Sequence, residues 1–169
     1  MIAPTKFWKP RRKNTRPRQH VSVYAAVRLL LPRRLQAQVG NRLDTLGLKA
    51  ALAELKSYRD PPKAVLQVVT AVLCLLGLGR LSSCSAWQFV RPQLKPSLPK
   101  GMLQFDAAKA VTDETPWEES ARASAGLTSD EVWKKGSLAV QTMLRWLEVT
   151  RLTRKEAGQA AAAEGGKVE

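Results

Sequence analysis

Few side chains in this sequence have the type and spacing that chemistry needs. The single histidine, His20, lies in a basic, proline-rich run far from either cysteine. Histidine-based acid–base catalysis therefore has no obvious seat, and two cysteines with one distant histidine make no zinc pattern. Cys74 falls inside an apolar run, where a free thiol behaves as a small hydrophobe. It and Cys84 are read as reduced thiols rather than as a disulfide. Glu118 and Glu119 are adjacent acids expected on a solvated connector, not a catalytic pair. The sequence contains no glycine-rich phosphate loop, no dinucleotide-binding glycine pattern and no Gly-x-Ser-x-Gly nucleophile turn. The expectation is a chain that binds rather than catalyses, with no metal and no cofactor.

What remains is charge. The formal net charge is +14, from 28 Lys and Arg against 14 Asp and Glu. Eleven of those basic residues precede the first acid, Asp44, so the body of the chain is only mildly basic. Residues 1–20 set Pro4, Pro10 and Pro17 among seven basic side chains, a composition expected to stay disordered. The run KPRRKNTRPR (residues 9–18) suits an import signal, or a polyanion-binding arm acting by counterion release. This leaves a basic nucleic-acid-binding or nuclear protein as one reading. The arginine-rich, acid-free beginning also matches a mitochondrial presequence, whereas Arg28 interrupts the apolar stretch that a secretory signal would require.

Periodicity supplies the elements that must carry these charges. Leu35, Val39, Leu43, Leu46, Leu48, Leu52 and Leu55 recur in steps that place an apolar stripe on one helix over 35–58. Gly40 and Gly47 each weaken it by about 1 kcal/mol relative to alanine, so it needs a partner. Asp60-Pro61-Pro62 stops the pattern, and proline in a first turn restarts a helix expected over Pro62–Leu76, closed by Gly77 and Gly79. Its apolar run is shorter than the roughly 20 residues of a membrane span. Trp87, Phe89 and Val90 fit a short helix, after which Pro92, Pro96 and Pro99 break the chain. Gly101–Val111 reads as another short helix burying Met102, Leu103 and Phe105, and 113–126 as an acidic connector around Trp117. Thr128 before Ser129-Asp130-Glu131 marks a capped helix start. From there to Arg154 the pattern is helical, with Val132, Leu138, Val140, Met143, Leu144, Leu147 and Leu152 available to a core. The fold class expected is all-α, a small helical bundle.

Four segments in order then carry a resemblance. ALAELKSYRDPP (51–62) resembles the end of an outgoing stalk helix, with Glu54-Leu55-Lys56-Ser57 running into the proline pair. VLQVVTAVLCLLG (65–77) resembles the first helix of a stalk tip. WQFVRPQLKPSLPKGMLQFDAAKAV (87–111) resembles the tryptophan-led middle segment, with Gln104-Phe105-Asp106 near its end. KKGSLAVQTMLRW (134–146) resembles the Arg-Ala-Ser-led start of the last tip helix. Together they resemble the microtubule-binding stalk tip of the dynein heavy chain family.

The resemblance implies a division into a basic arm (1–34), an outgoing stalk helix (35–60), a tip domain (61–146) and the start of a returning stalk helix (147–169), the two arms forming a short antiparallel coiled-coil stump. It implies a microtubule partner, other dynein subunits within a larger chain, a cytoskeletal or axonemal setting, and no membrane. An ATPase ring would lie elsewhere. Residues matching the family's contact positions are Lys63, Arg91, Lys95, Lys100, Lys134 and Lys135, with Lys135 at the motif arginine. Pro61 and Pro62 would form the joint between stalk and tip, and Trp87, Phe105 and Trp146 the core anchors. The sequence departs from the family at Gln67, where a basic residue is common, at Pro92, Pro96 and Pro99, and at Gly136, where the motif has alanine. Paired with the returning arm, the 35–58 helix is expected to run antiparallel against the end of the last helix.

Overall fold

The computed structural model describes residues 34–35, 37–41, 46–107 and 114–165. Residues 1–33 of the basic arm, His20 among them, and residues 108–113 lie outside them. All regular structure among the described residues is helical: α1 (Leu46–Ser57), α2 (Lys63–Leu75), α3 (Trp87–Val90), a 3-10 turn (Arg91–Gln93), α4 (Leu98–Gln104), α5 (Thr115–Ala123), α6 (Ser129–Lys135) and α7 (Leu138–Gly165). The chain is thus the all-α bundle expected.

The bundle is organised around α2. Ten of its thirteen residues are buried, from Ala64 to Leu75, and the helix packs against α3, α5, α6 and α7. A helix this largely apolar must be covered on most of its sides. Pro62, at φ −51° and ψ 145°, leads into it, and its carbonyl accepts from Val65 N (2.9 Å) and Leu66 N (3.2 Å). At the other end Gly77 adopts φ 68°. There Leu78 N donates to Leu73 O (2.9 Å) and Gly77 N to Cys74 O (3.0 Å), the paired bonds that close a helix through a left-handed residue. The proline start and glycine stop expected from sequence are both present.

Two tryptophans of the core, Trp87 and Trp146, spend their polar edges on carbonyls from other elements. Trp87 Nε1 donates to Tyr58 O (2.8 Å), fastening α3 to the end of α1 beside the buried Pro61. Trp146 Nε1 donates to Met102 O (3.1 Å), fastening α7 to α4. Phe105 lies half-buried between Trp117 (ring centroids 5.8 Å) and Trp146 (5.6 Å), in the tilted and edge-on geometries that aromatic quadrupoles prefer. The three expected anchors therefore all pack in or against the core.

Several sequence expectations are corrected. Within the expected 113–126 connector, Thr115–Ala123 around Trp117 form the helix α5, with Pro116 in its first turn. Trp117, Ser120 and Ala123 form its buried stripe, and a serine and an alanine are too small to signal a core face. Nor do the prolines break the middle segment outright. Pro92 sits in the 3-10 turn and Pro99 in the first turn of α4, both positions where a missing N–H costs nothing. The expected 101–111 helix instead starts at Leu98 and ends at Gln104, and Leu103 on it is exposed while Met102 is buried. The helix expected from Ser129 to Arg154 is interrupted at Gly136, whose backbone is extended (φ −93°, ψ 144°). Leu138 and Leu152 are exposed rather than in the core.

Residues 34–35 and 37–41 are helical, and α1 packs against α7. Leu35 and Val39 lie in a groove of about 880 Å³ with Trp133, Leu138, Leu144 and Glu148, alongside the first half of α7 and not its far end. A Cβ on Gly40 would reach Leu103 Cδ2 at 3.1 Å. The expected pairing of this segment with the end of the last helix is therefore not what these residues do. The far end of α7, RKEAGQAAAAEG (154–165), offers no large apolar side chain, while its beginning does.

Gly136 has a physical reason to be glycine. A Cβ there would lie 2.6 Å from Val132 O and 3.3 Å from Val140 Cβ, so an alanine does not fit this backbone. Gly158, in α7, has nothing within 4 Å of the corresponding point. Gly136→Ala is expected to lower stability by about 1–3 kcal/mol and Gly158→Ala to raise it by up to about 1 kcal/mol. Urea denaturation of the two variants checks this, and equal stabilities would contradict the close packing at Gly136.

Candidate functional site

The six cations singled out in the sequence are all exposed. Lys63 is the first residue of α2, and Lys134 and Lys135 are the last two of α6. Although 72 positions apart, Lys63 and Lys135 line one groove of about 340 Å³ with Pro62, Gln67, Glu131 and the 125–126 turn. Three features build it. The proline pair sets where α2 begins; Gly126, at φ 71°, turns the chain after α5; and Thr128 Oγ1 accepts from Glu131 N (3.3 Å) to cap α6. Asp130 and Glu131 at the start of α6 and Lys134 and Lys135 at its end both suit the helix dipole.

Gln67 has a definite task in this arrangement. Its Nε2 donates to Ala125 O (3.2 Å), bridging α2 to the turn after α5. This polar side chain thus fixes one wall of the groove. Lys134 differs from its neighbour, because its Nζ pairs with Asp130 at 2.6 Å on an open surface, where such a pair is worth little and is screened by salt. Lys63, Lys135, Arg91, Lys95 and Lys100 make no ion pair among the described residues. Arg91 opens the 3-10 turn, Lys95 follows it and Lys100 lies on α4. Lys63 and Lys135 are thus brought together, and Arg91, Lys95 and Lys100 belong to the middle segment, next to the exposed Phe89.

Cys74 and Cys84 are free and buried. Burial pushes the Cys74 thiol up to about 12, with Cys84 and Glu119 adding to the effect, and burial also raises Cys84. The thiolate is the reactive form, so both are poor nucleophiles and poor metal ligands. Among the described residues no group of three His, Cys, Asp or Glu could hold a metal ion, and no helix is long and apolar enough to cross a membrane. Glu119 is no solvated loop acid: from α5 it accepts Leu81 N at 3.2 Å and pins the 81–86 loop. Thr70 Oγ1 donates to Cys84 O (3.1 Å) and holds the same loop to α2.

Two further cations went unnoticed in the sequence. Arg154 stacks 4.1 Å from the Trp117 ring centre and pairs with Glu114, closing α7 onto α5. Arg151, half-buried, donates from Nη2 to Ser120 O (3.0 Å), Ser120 Oγ (3.1 Å) and Ser124 Oγ (2.8 Å). Their partners are 27 to 40 positions away, and no local pattern announces them. Comparison with protein-family models, with curated proteins and with solved structures finds no match.

The thiols give a test with a defined sign. Folded Cys74 keeps its proton up to about pH 12, while an unfolded thiol loses it near its ordinary value of 9.0. Its contribution to stability is therefore full below about pH 9 and lost as pH climbs toward 12. The urea midpoint is expected to fall across that window and to fall less in Cys74→Ala. Native protein should also resist iodoacetamide at pH 8 until denatured.

Proposed function

We propose that this chain is a non-catalytic binding module that docks its basic groove on the acidic surface of a microtubule, as the stalk tip of a dynein heavy chain does. The observation that carries the reading is the meeting of Lys63 and Lys135, from the start of one helix and the end of another, in a single groove. A reader of an acidic protein surface needs cations held on rigid elements, where attraction is long-ranged and salt-sensitive. Lys63 stands on the most buried helix of the bundle, and Lys135 on a capped helix packed against it. Arg91, Lys95 and Lys100 supply a second basic stretch from the middle segment. Pro61, buried, and Pro62, at the head of α2, fix the angle at which α1 meets the groove-bearing elements.

In this reading the chain contributes to microtubule-based movement as the track-binding part of a larger assembly, in the cytoplasm or an axoneme, without turning over ATP itself. Co-sedimentation with microtubules tests it. Binding at low salt should survive deletion of residues 1–20, weaken roughly tenfold on Lys135→Glu and fade as salt is raised to physiological strength. No pelleting at low salt would falsify the proposal. Pelleting that vanishes with the arm but ignores Lys135→Glu would replace it with a polyanion-binding arm of the kind that nucleic acids recruit.

A further inference from the structure

We propose that Ser124 is a phosphorylation site and that Arg151 is the cation that receives the phosphate. Ser124 ends α5 and opens the turn that Gly126 completes at φ 71°. Its side chain is half-buried, and Arg122 stands two positions before it, a basic flank of the kind that arginine-directed serine kinases read. Beneath it, all three hydrogen bonds of Arg151 run from Nη2 to uncharged oxygens: the Ser120 carbonyl, the Ser120 hydroxyl and the Ser124 hydroxyl at 2.8 Å.

A guanidinium withdrawn from water ordinarily faces a carboxylate or a phosphate. Arg151 pairs with neither among the described residues. The charge that acts on it is Glu148, which is itself engaged by Arg145 (3.1 Å) and Ser129 (3.2 Å). Burial accordingly disfavours the charged form of Arg151, and the negative end of the α5 dipole offsets only part of that cost. A guanidinium carries five N–H donors, and here a single nitrogen does all the bonding. Among the described residues the site thus holds a charge without a counter-ion and donors without a protein acceptor, next to an acceptor hydroxyl.

In the reaction Ser124 Oγ attacks the γ-phosphorus of ATP. An O–P bond forms, the bond to the β-phosphate oxygen breaks, ADP leaves, and the hydroxyl proton passes to the kinase's base. The product carries about −2 near neutral pH and three strong acceptor oxygens. A phosphate at a helix C-terminus is opposed by the helix dipole, so pairing with Arg151 is what makes the position tolerable. The consequence reaches the groove, because the Ala125 carbonyl holds Gln67 and residues 125–126 form the wall facing Lys63 and Lys135. A new anion there lowers the attraction of the groove for an acidic surface, a step that rests on the proposed function.

The full chain is treated with ATP and an arginine-directed serine kinase, and the phosphate is mapped by mass spectrometry beside a Ser124→Ala control. Chain carrying phosphoserine at position 124, installed by codon expansion, is then titrated by phosphorus NMR. The second phosphate pKa is expected about one unit below its usual value near 6, to return in Arg151→Gln, and to stay low in Arg154→Gln. Labelling of other serines with Ser124 spared overturns the proposal, as does a phosphate in the otherwise unchanged chain that titrates like free phosphoserine. That titration decides the matter even if Arg151→Gln does not fold. Microtubule pelleting should drop roughly tenfold on phosphorylation. Equal pelleting overturns the link to the groove, whereas pelleting by neither form overturns the proposed function and leaves the titration standing.

Discussion

Everything in this bundle follows from a helix that has almost no face for water. Between Ala64 and Leu75, α2 offers only apolar groups, one glutamine, one threonine and one thiol; the glutamine is bonded to the turn after α5 and the threonine to the 81–86 loop. Each fully buried valine or leucine favours that state by roughly 1.5–3 kcal/mol, so the helix must be covered on most of its sides. The cover comes from α3, α5, α6 and α7. These elements are less apolar than what they enclose: α5 contributes Trp117, Ser120 and Ala123, and α6 contributes Val132 alone. Their order is imposed by α2 more than by their own sequences.

The cover is then locked by polar groups that have few places to go. The indole N–H groups of Trp87 and Trp146 must find acceptors when buried, and each finds a carbonyl at the end of another element. Arg154 and Arg151 do the same for α5, one through a ring face and a carboxylate, the other through serine oxygens. These contacts place the basic residues on a framework whose register is set by directional bonds as well as by packing. The groove between Lys63 and Lys135 inherits its shape from that framework.

What could be read from the sequence was whatever a local pattern expresses. The proline start and glycine stop of α2, the threonine cap of α6 and the anchoring tryptophans are all written within a few residues. The exposure of the six cations was equally legible, since a lysine or arginine without a buried partner belongs outside. The meeting of Lys63 with Lys135 was not, because it depends on how α6 packs on α2. Helix α5 escaped because its inward stripe is a tryptophan followed by serine and alanine, with acids on the other side. The interruption at Gly136 escaped because the apolar spacing runs through it unchanged, and only the approach of the Val132 carbonyl makes it visible.

That interruption has a mechanical meaning. A continuous helix from Thr128 onward would be a stiff rod, carrying Lys134 and Lys135 on the same shaft as Trp146. Instead, an extended link at Gly136–Ser137 separates a seven-residue helix bearing the lysines from the 28-residue shaft of α7. Twisting or axial load applied to α7 reaches Lys135 through side-chain contacts, among them Gln141 Nε2 to Trp133 O and Ser129 Oγ to Glu148, and not along one continuous helical backbone. The cationic helix is coupled to the shaft as a bearing is, with its orientation held by the hub it rests on.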